Sequence, residues 1–312
     1  MDDDLDKKIL SAVCYYNALN YSLTVFEVWK YLIETKNENE DNNQGEIKLK
    51  DILDNLESDA LRRFIDKKRG MYFLKGKEEL VEQRIKRDKL SVIKIKKLRR
   101  VIWFLCLTPF VRAIFITGRL AMKNAKLNSD WDVLLVMKGG RIWIGRTLIT
   151  LFSHILGKRR HHNKMKNRVC LNYFITTNSL EIRNKDLFSA NEYFFCIPIF
   201  DSNKYFEKFQ LKNSWIKKFK PNYYLTSVSH LKAVEETLFS KLVRNILEKI
   251  FDWNMLENYL KKIETKKIKN NPKTKRVDSL IVADDEALIF LPEPQGPKIF
   301  EEFKNKVDNL NC

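Results

Sequence analysis

The chain has 312 residues, 44% of them hydrophobic and 31% charged, and its 58 basic against 40 acidic side chains leave a formal charge of +18. That length supports one large domain or two to three ordinary ones. The charge favours a polyanion (nucleic acid, a nucleotide or an acidic membrane surface), although a Lys-, Asn- and Ile-rich composition accounts for the same excess with no partner at all.

In chain order, residues 1–78 read as one unit. Met1 to Asp4 is acidic and is not expected to act as a signal peptide. Ile9, Leu10, Val13 and Tyr16 lie at helical spacing. Thr24 followed three places later by Glu27 forms a capping-box start for a helix carrying Val25, Val28, Trp29 and Leu32. The polar run Lys36 to Gly45 reads as a loop, and Ile47, Ile52, Leu53 and Leu56 mark a third helix. Phe64-Ile65, the turn Lys67 to Gly70 and Met71 to Leu74 then read as a hairpin. Helices and hairpin in this order resemble a winged helix.

Residues 79–108 form a basic connecting helix, with nine Lys or Arg and one acid, Asp88, between Arg84 and Arg100. A solvated face is the preferred reading over a nucleic-acid contact. The longest apolar stretch, Val101 to Ile116, is interrupted by Pro109 and Arg112. It is shorter than the roughly 20 residues a membrane span needs. Residues 109–200 alternate: strand Ala113–Ile116, helix-prone Leu120–Met122, strand Trp131–Met137, helix Trp143–Leu156 and strand Val169–Ile175. This order predicts an α+β or α/β fold. Residues 201–312 read as mostly helical. Leu231, Val234, Leu238, Leu242, Ile246 and Ile250 form a stripe expected to be buried. A basic tract (Lys261 to Arg276), a strand-like Ser279–Val282, a Pro-rich turn and a terminal helix follow.

The stretch that carries chemistry runs from Ile116-Thr117-Gly118-Arg119 to Asn128-Ser129-Asp130-Trp131-Asp132 and the apolar Val133–Met137. Alternation along a strand puts Asp130 and Asp132 on one face, with Cβ atoms roughly 6.5 Å apart. Two such carboxylates can hold Mg²⁺, which completes its shell with water and triphosphate oxygens. Two metals about 4 Å apart could clamp the attacking and leaving oxygens. The Gly turn before the short helix offers backbone N–H groups to phosphate.

An Asp-x-Asp that follows a strand–Gly–helix turn and opens an apolar strand resembles the nucleotidyltransferase domain of the DNA polymerase beta superfamily. Residues about 110–200 carry the likeness. Most of the chain resembles bacterial nucleotidyltransferase-domain proteins with an N-terminal winged-helix-like region, the specific signature lying in residues 116–137. The resemblance implies a nucleotidyltransferase-type mixed sheet flanked by helices. It also implies Mg²⁺-dependent transfer of a nucleoside monophosphate from a nucleoside triphosphate to a nucleic acid, protein or other acceptor. Asp130 and Asp132 match the catalytic metal carboxylates. Thr117, Gly118, Arg119 and Ser129 fall at the nucleotide-binding positions. Two departures stand out: Arg119 replaces the family's Ser, and the third carboxylate is not found. Asn172 is the best candidate for its position and Glu181 a weaker substitute. The alternative is an inactive transferase fold that binds nucleic acid or a protein through the winged helix. Acidic residues on the third helix (Asp51, Asp54) make poor groove readers.

Other features take bland readings. Cys14, Cys106, Cys170, Cys196 and Cys312 are widely spaced and lack the Cys-x-x-Cys pattern. That argues against a disulfide framework or zinc site and fits a reducing cytoplasm. The basic Lys158–Arg168 reads as an exposed loop before a polyphosphate patch. His161 and His162 point apart, and His154 and His230 are structural. Trp131 and Trp143 are packing residues, and Asp284-Asp285-Glu286 is a solvated turn.

Overall fold

The computed structural model describes residues 3–34, 47–161, 164–226 and 233–310. The Lys36–Gly45 run, His162, His230, Leu231 and Cys312 lie outside them. Helix α1 (Asp3–Ala18) leads to β1 (Leu23–Thr24) and α2 (Val25–Lys30). The capping box forms as expected: the Glu27 amide donates to Thr24 Oγ1 at 3.3 Å, and the Thr24 amide donates to the Glu27 carboxylate at 2.9 Å. Helices α3 (Leu49–Leu56) and α4 (Asp59–Arg62) precede the hairpin β2 (Ile65–Lys68) and β3 (Met71–Leu74). Arg69 and Gly70 turn it with φ of 52° and 73°, two left-handed residues in succession that match the strand twist. β1 pairs with β3, giving an antiparallel sheet of order β1-β3-β2.

The basic helix α5 (Glu79–Leu105) is 27 residues long, roughly 40 Å at 1.5 Å per residue. It is more than a solvated connector, because Leu80, Val81, Ser91, Lys94, Leu98, Ile102 and Leu105 make a buried stripe. At its start Arg84 forks onto Glu27 with two bonds of 2.6 Å. At its end it packs under the main sheet.

That sheet has six strands. They are β7 (Ile197–Asp201), β4 (Val111–Ile116), β5 (Trp131–Met137), β6 (Val169–Thr176), β9 (Ala287–Leu291) and β8 (Leu280–Ala283), in this spatial order. β5 and β6 are parallel and the other pairs antiparallel. Parallel neighbours need a crossover, which α7 (Ile142–Ile155) supplies. The short α6 (Gly118–Ala121) joins β4 towards β5, while α8 (Leu187–Phe194) and α9 (Tyr205–Lys212) flank β7 in sequence. Alternating side chains feed two cores. Ile114, Ile116, Val133, Leu135 and Phe174 face α5 and α7. Ala113, Phe115, Leu134, Val136 and Tyr173 face the other way, towards Phe206 and Phe209 of α9. The protein is therefore α+β, a mixed sheet flanked by helices.

The remaining helices are α10 (Leu238–Phe251), α11 (Asn254–Asn270) and α12 (Gln295–Asp308). The strand-like Ser279–Val282 falls on β8, and β9 joins it to complete the sheet. One expectation for this region is overturned. The stripe expected to be buried is turned outward beyond Val234: Leu238, Leu242, Ile246 and Ile250 are 50–89% exposed. The inward face of α10 instead carries Ser240, Arg244 and Glu248. Glu248 accepts from Arg112 at 2.7 and 2.9 Å and from the Phe110 amide at 2.9 Å. Ion pairing to the sheet, not apolar burial, orients this helix.

Candidate functional site

The site forms where β4 ends and β5 begins. Gly118 sits at φ +62°, and a Cβ there would stand 3.1 Å from Asp132 Oδ2. Only glycine meets both demands at low cost. The Thr117 amide donates to the Asp132 carbonyl at 3.1 Å, tying the turn to the acidic strand. The loop before Asp130 is held from α5. Buried Lys94 donates to the Ser129 carbonyl at 2.7 Å and its hydroxyl at 3.3 Å. Ser91 Oγ accepts from the Ala125 amide at 3.1 Å, and Arg87 donates to Asn124 Oδ1 at 2.9 Å. Part of the basic run thus scaffolds the acidic loop.

Asp132 pairs with Cys170 across the parallel β5–β6 register. Asp130, Asp132 and Cys170 present oxygens and sulfur within 4.8 Å of one another. The two carboxylates share one face beside Gly118, as expected. Arg160, from the segment after α7, places Nη1 2.6 Å from Asp130 Oδ2 and 3.3 Å from Cys170 Sγ. Burial, then the charge of Asp130, pushes the Asp132 carboxyl up to about 7, against Arg160, a Cys170 hydrogen bond and Arg119. Burial also raises the Cys170 thiol, with Asp132 and Asp130 adding to it.

A further acid joins from helix α8. Burial and then Asp132 raise Glu192 to about 7, while a hydrogen bond with the Thr117 side chain lowers it. The Gly118 turn continues into Arg119. Its Nη1 is buried with no hydrogen-bond partner among the described residues. Burial lowers its pKa, while Glu302 and Asp132 raise it. Lys126 is lowered first by Arg119, then by burial, Arg87 and Lys298. Acids and a cluster of cations therefore stand side by side.

Each predicted residue has a place. Asp130, Asp132, Gly118 and Arg119 converge. Thr117 is buried and engages Glu192. Ser129 holds its own turn, its hydroxyl donating to the Lys126 carbonyl at 2.9 Å. Asn172 does not face Asp132, because the β5–β6 register shifts there and Cys170 is the partner. Glu181 is exposed and pairs with Lys185 at 2.5 Å. Glu192 lies on a helix rather than on the strands where the resemblance puts a third carboxylate; its only local signal is an acid on an Asp186-capped helix. The acidic run near β9 is not merely solvated: Asp285 accepts from Trp143 Nε1 at 2.9 Å and Lys261 at 2.6 Å. Among the described residues no helix is long and apolar enough to cross a membrane.

Comparison of the chain with protein-family models, with curated proteins and with solved structures finds no match.

Proposed function

We propose that the chain is a nucleotidyltransferase that moves a nucleoside monophosphate from a nucleoside triphosphate to an acceptor hydroxyl, behind an N-terminal winged-helix-type module. The observation that carries this reading is the convergence of Asp130 and Asp132 on one strand face against the Gly118 turn. Mg²⁺ fits this donor set, since it takes one or two carboxylates and leaves the rest of its shell to water and phosphate. Asp130 and Asp132 would hold it; Cys170 sulfur is a poor ligand for a hard cation. Bound there, Mg²⁺ would offset charge on the phosphates.

The protein's own groups supply the rest. The unpaired Arg119 Nη1 is free to donate to a phosphate oxygen, so Arg replaces the hydroxyl of the resembling family with a charged fork. Arg160 would exchange Asp130 for phosphate oxygens. Glu192, poised near 7, suits a general base. It takes the acceptor proton as the acceptor oxygen bonds to the α-phosphorus and pyrophosphate leaves.

A second reading has one observation in its favour. Arg160 seated on Asp130 already neutralises one of the two carboxylates, as an inactive fold would tolerate. The two readings separate by titrating Mg²⁺ with each nucleoside triphosphate, and by following label transfer from α-phosphate-labelled nucleotide. Asp130→Asn/Asp132→Asn is expected to abolish metal-dependent binding. Glu192→Gln is expected to keep binding and lose about two orders of magnitude in transfer rate. For wild type, transfer rises with pH through about 7, as the Asp132–Glu192 cluster ionises. Salt-sensitive duplex binding that ignores the aspartates, with no nucleotide bound, would favour the inactive module.

A further inference from the structure

Helix α10 is built the opposite way from an ordinary surface helix. Its inward face is ionic: Arg244 is 5% exposed, pairs with Glu236 and Glu248, and lies 5.8 Å from the Phe200 ring centroid. Its outward face is apolar, with Phe239 62%, Leu242 58%, Ile246 50% and Ile250 54% exposed. At 100° per residue these four fall within an arc of about 80°. Leu238 and Trp253, 89% and 64% exposed, extend the stripe at its ends. Contiguous apolar surface of this kind marks an interaction site, because water disfavours it in a free molecule.

Charge indicates the occupant. Lys249 borders the stripe near its C-terminal end and Lys241 lies further round the helix, both of them exposed. Exposed Lys262, Lys266 and Lys269 continue the basic character along α11. The chain carries +18 overall, so a second copy is repelled and an anionic surface attracted. Nucleic acid would answer the lysines but leave Leu242, Ile246 and Ile250 wet. A helix with a Phe-, Leu- and Ile-bearing face, a Trp just past its end and Lys beside it suits the plane of a lipid interface. Since no described helix can span a bilayer, attachment would be peripheral. We propose that α10 seats the protein on an anionic lipid surface, its apolar stripe among the acyl chains and its lysines on the headgroups. This is independent of the catalytic reading.

The full-length chain is tested by co-sedimentation with vesicles of phosphatidylcholine alone and of phosphatidylcholine with phosphatidylglycerol. Binding is expected to the mixed vesicles only, and to weaken as salt rises. The decisive variant is Leu242→Lys/Ile246→Lys. Both positions are exposed, so the fold, checked by circular dichroism, is expected to persist. The variant adds positive charge while deleting the stripe. A purely electrostatic contact would strengthen; the seat proposed here weakens by about tenfold or more. Failure of wild type to bind mixed vesicles overturns the proposal. So does undiminished binding by the variant. A wild-type dimer in sedimentation velocity that the variant abolishes, without vesicle binding, also overturns it and assigns the face to a second copy.

Discussion

Asp132 shows how one residue ties the site's chemistry to stability. Burial and Asp130 hold its proton on in the folded chain to about 7, whereas an unfolded aspartate releases it near 4. The folded state thus binds more protons between these values, and stability falls as pH rises across that window. The whole penalty is present above about 7. Asp132→Asn removes it, so urea unfolding at pH 8 is expected to show a gain on the order of 2 kcal/mol. At pH 4 the change is expected to be small. An equal effect at both pH values would mean that the carboxyl is not held protonated. A stabilising change that also destroys metal-dependent nucleotide binding is the pattern of a strained functional group.

At the scale of elements, the ion network on α10 does what apolar packing does for other helices. Glu248 alone accepts from Arg112, the Phe110 amide and, more loosely, Arg244. Glu248→Ala would leave the largely covered Arg112 guanidinium without its carboxylate and Arg244 with Glu236 alone, a loss of about 3 kcal/mol. Thermal unfolding of this variant, compared with Lys249→Ala one position along, checks it, because the exposed lysine is expected to change stability by under about 0.5 kcal/mol. The same helix shows which features the sequence made legible. The strands carrying Ile114 and Leu134, the Thr24–Glu27 cap and the Asp130–Asp132 pair could be read because each rests on neighbours within four residues. Periodicity also located α10 and its amphipathic axis. It could not say which face turns inward, since the deciding partner, Arg112, is 136 residues away. Cys170 and Glu192 were hidden for a related reason. One reaches Asp132 through a shifted parallel register and the other from a helix packed across the sheet.

Across the whole molecule, the N-terminal region does not close its own core. Leu5, Ile9 and Val13 of α1 share one apolar interior with Leu187 and Ile299, and Phe303, Val307 and Leu310 pack against it. The Tyr15 and Phe303 rings meet edge to face at 5.6 Å, and Tyr16 donates to Asn191 at 2.5 Å. Lys220, fully buried, donates to the Tyr31 carbonyl at 3.2 Å. Helix α5 spans both ends of the fold, fixed to Glu27 at one and to the Ser129 loop further along. With contacts so interleaved, calorimetry of the full chain is expected to give one cooperative transition rather than separate melting of an N-terminal module. Ending the chain at Pro294 is the stronger test. It removes Ile299, Phe303, Val307 and Leu310 from the α1 interior, a loss of roughly 5 kcal/mol or more of apolar burial. That is comparable to the net stability of an ordinary domain, about 5–15 kcal/mol. The shortened chain should therefore lose the entire transition, including the melt of the main sheet that carries Asp132. Survival of the main-sheet melt with loss of the N-terminal signal alone would show that the two regions fold independently.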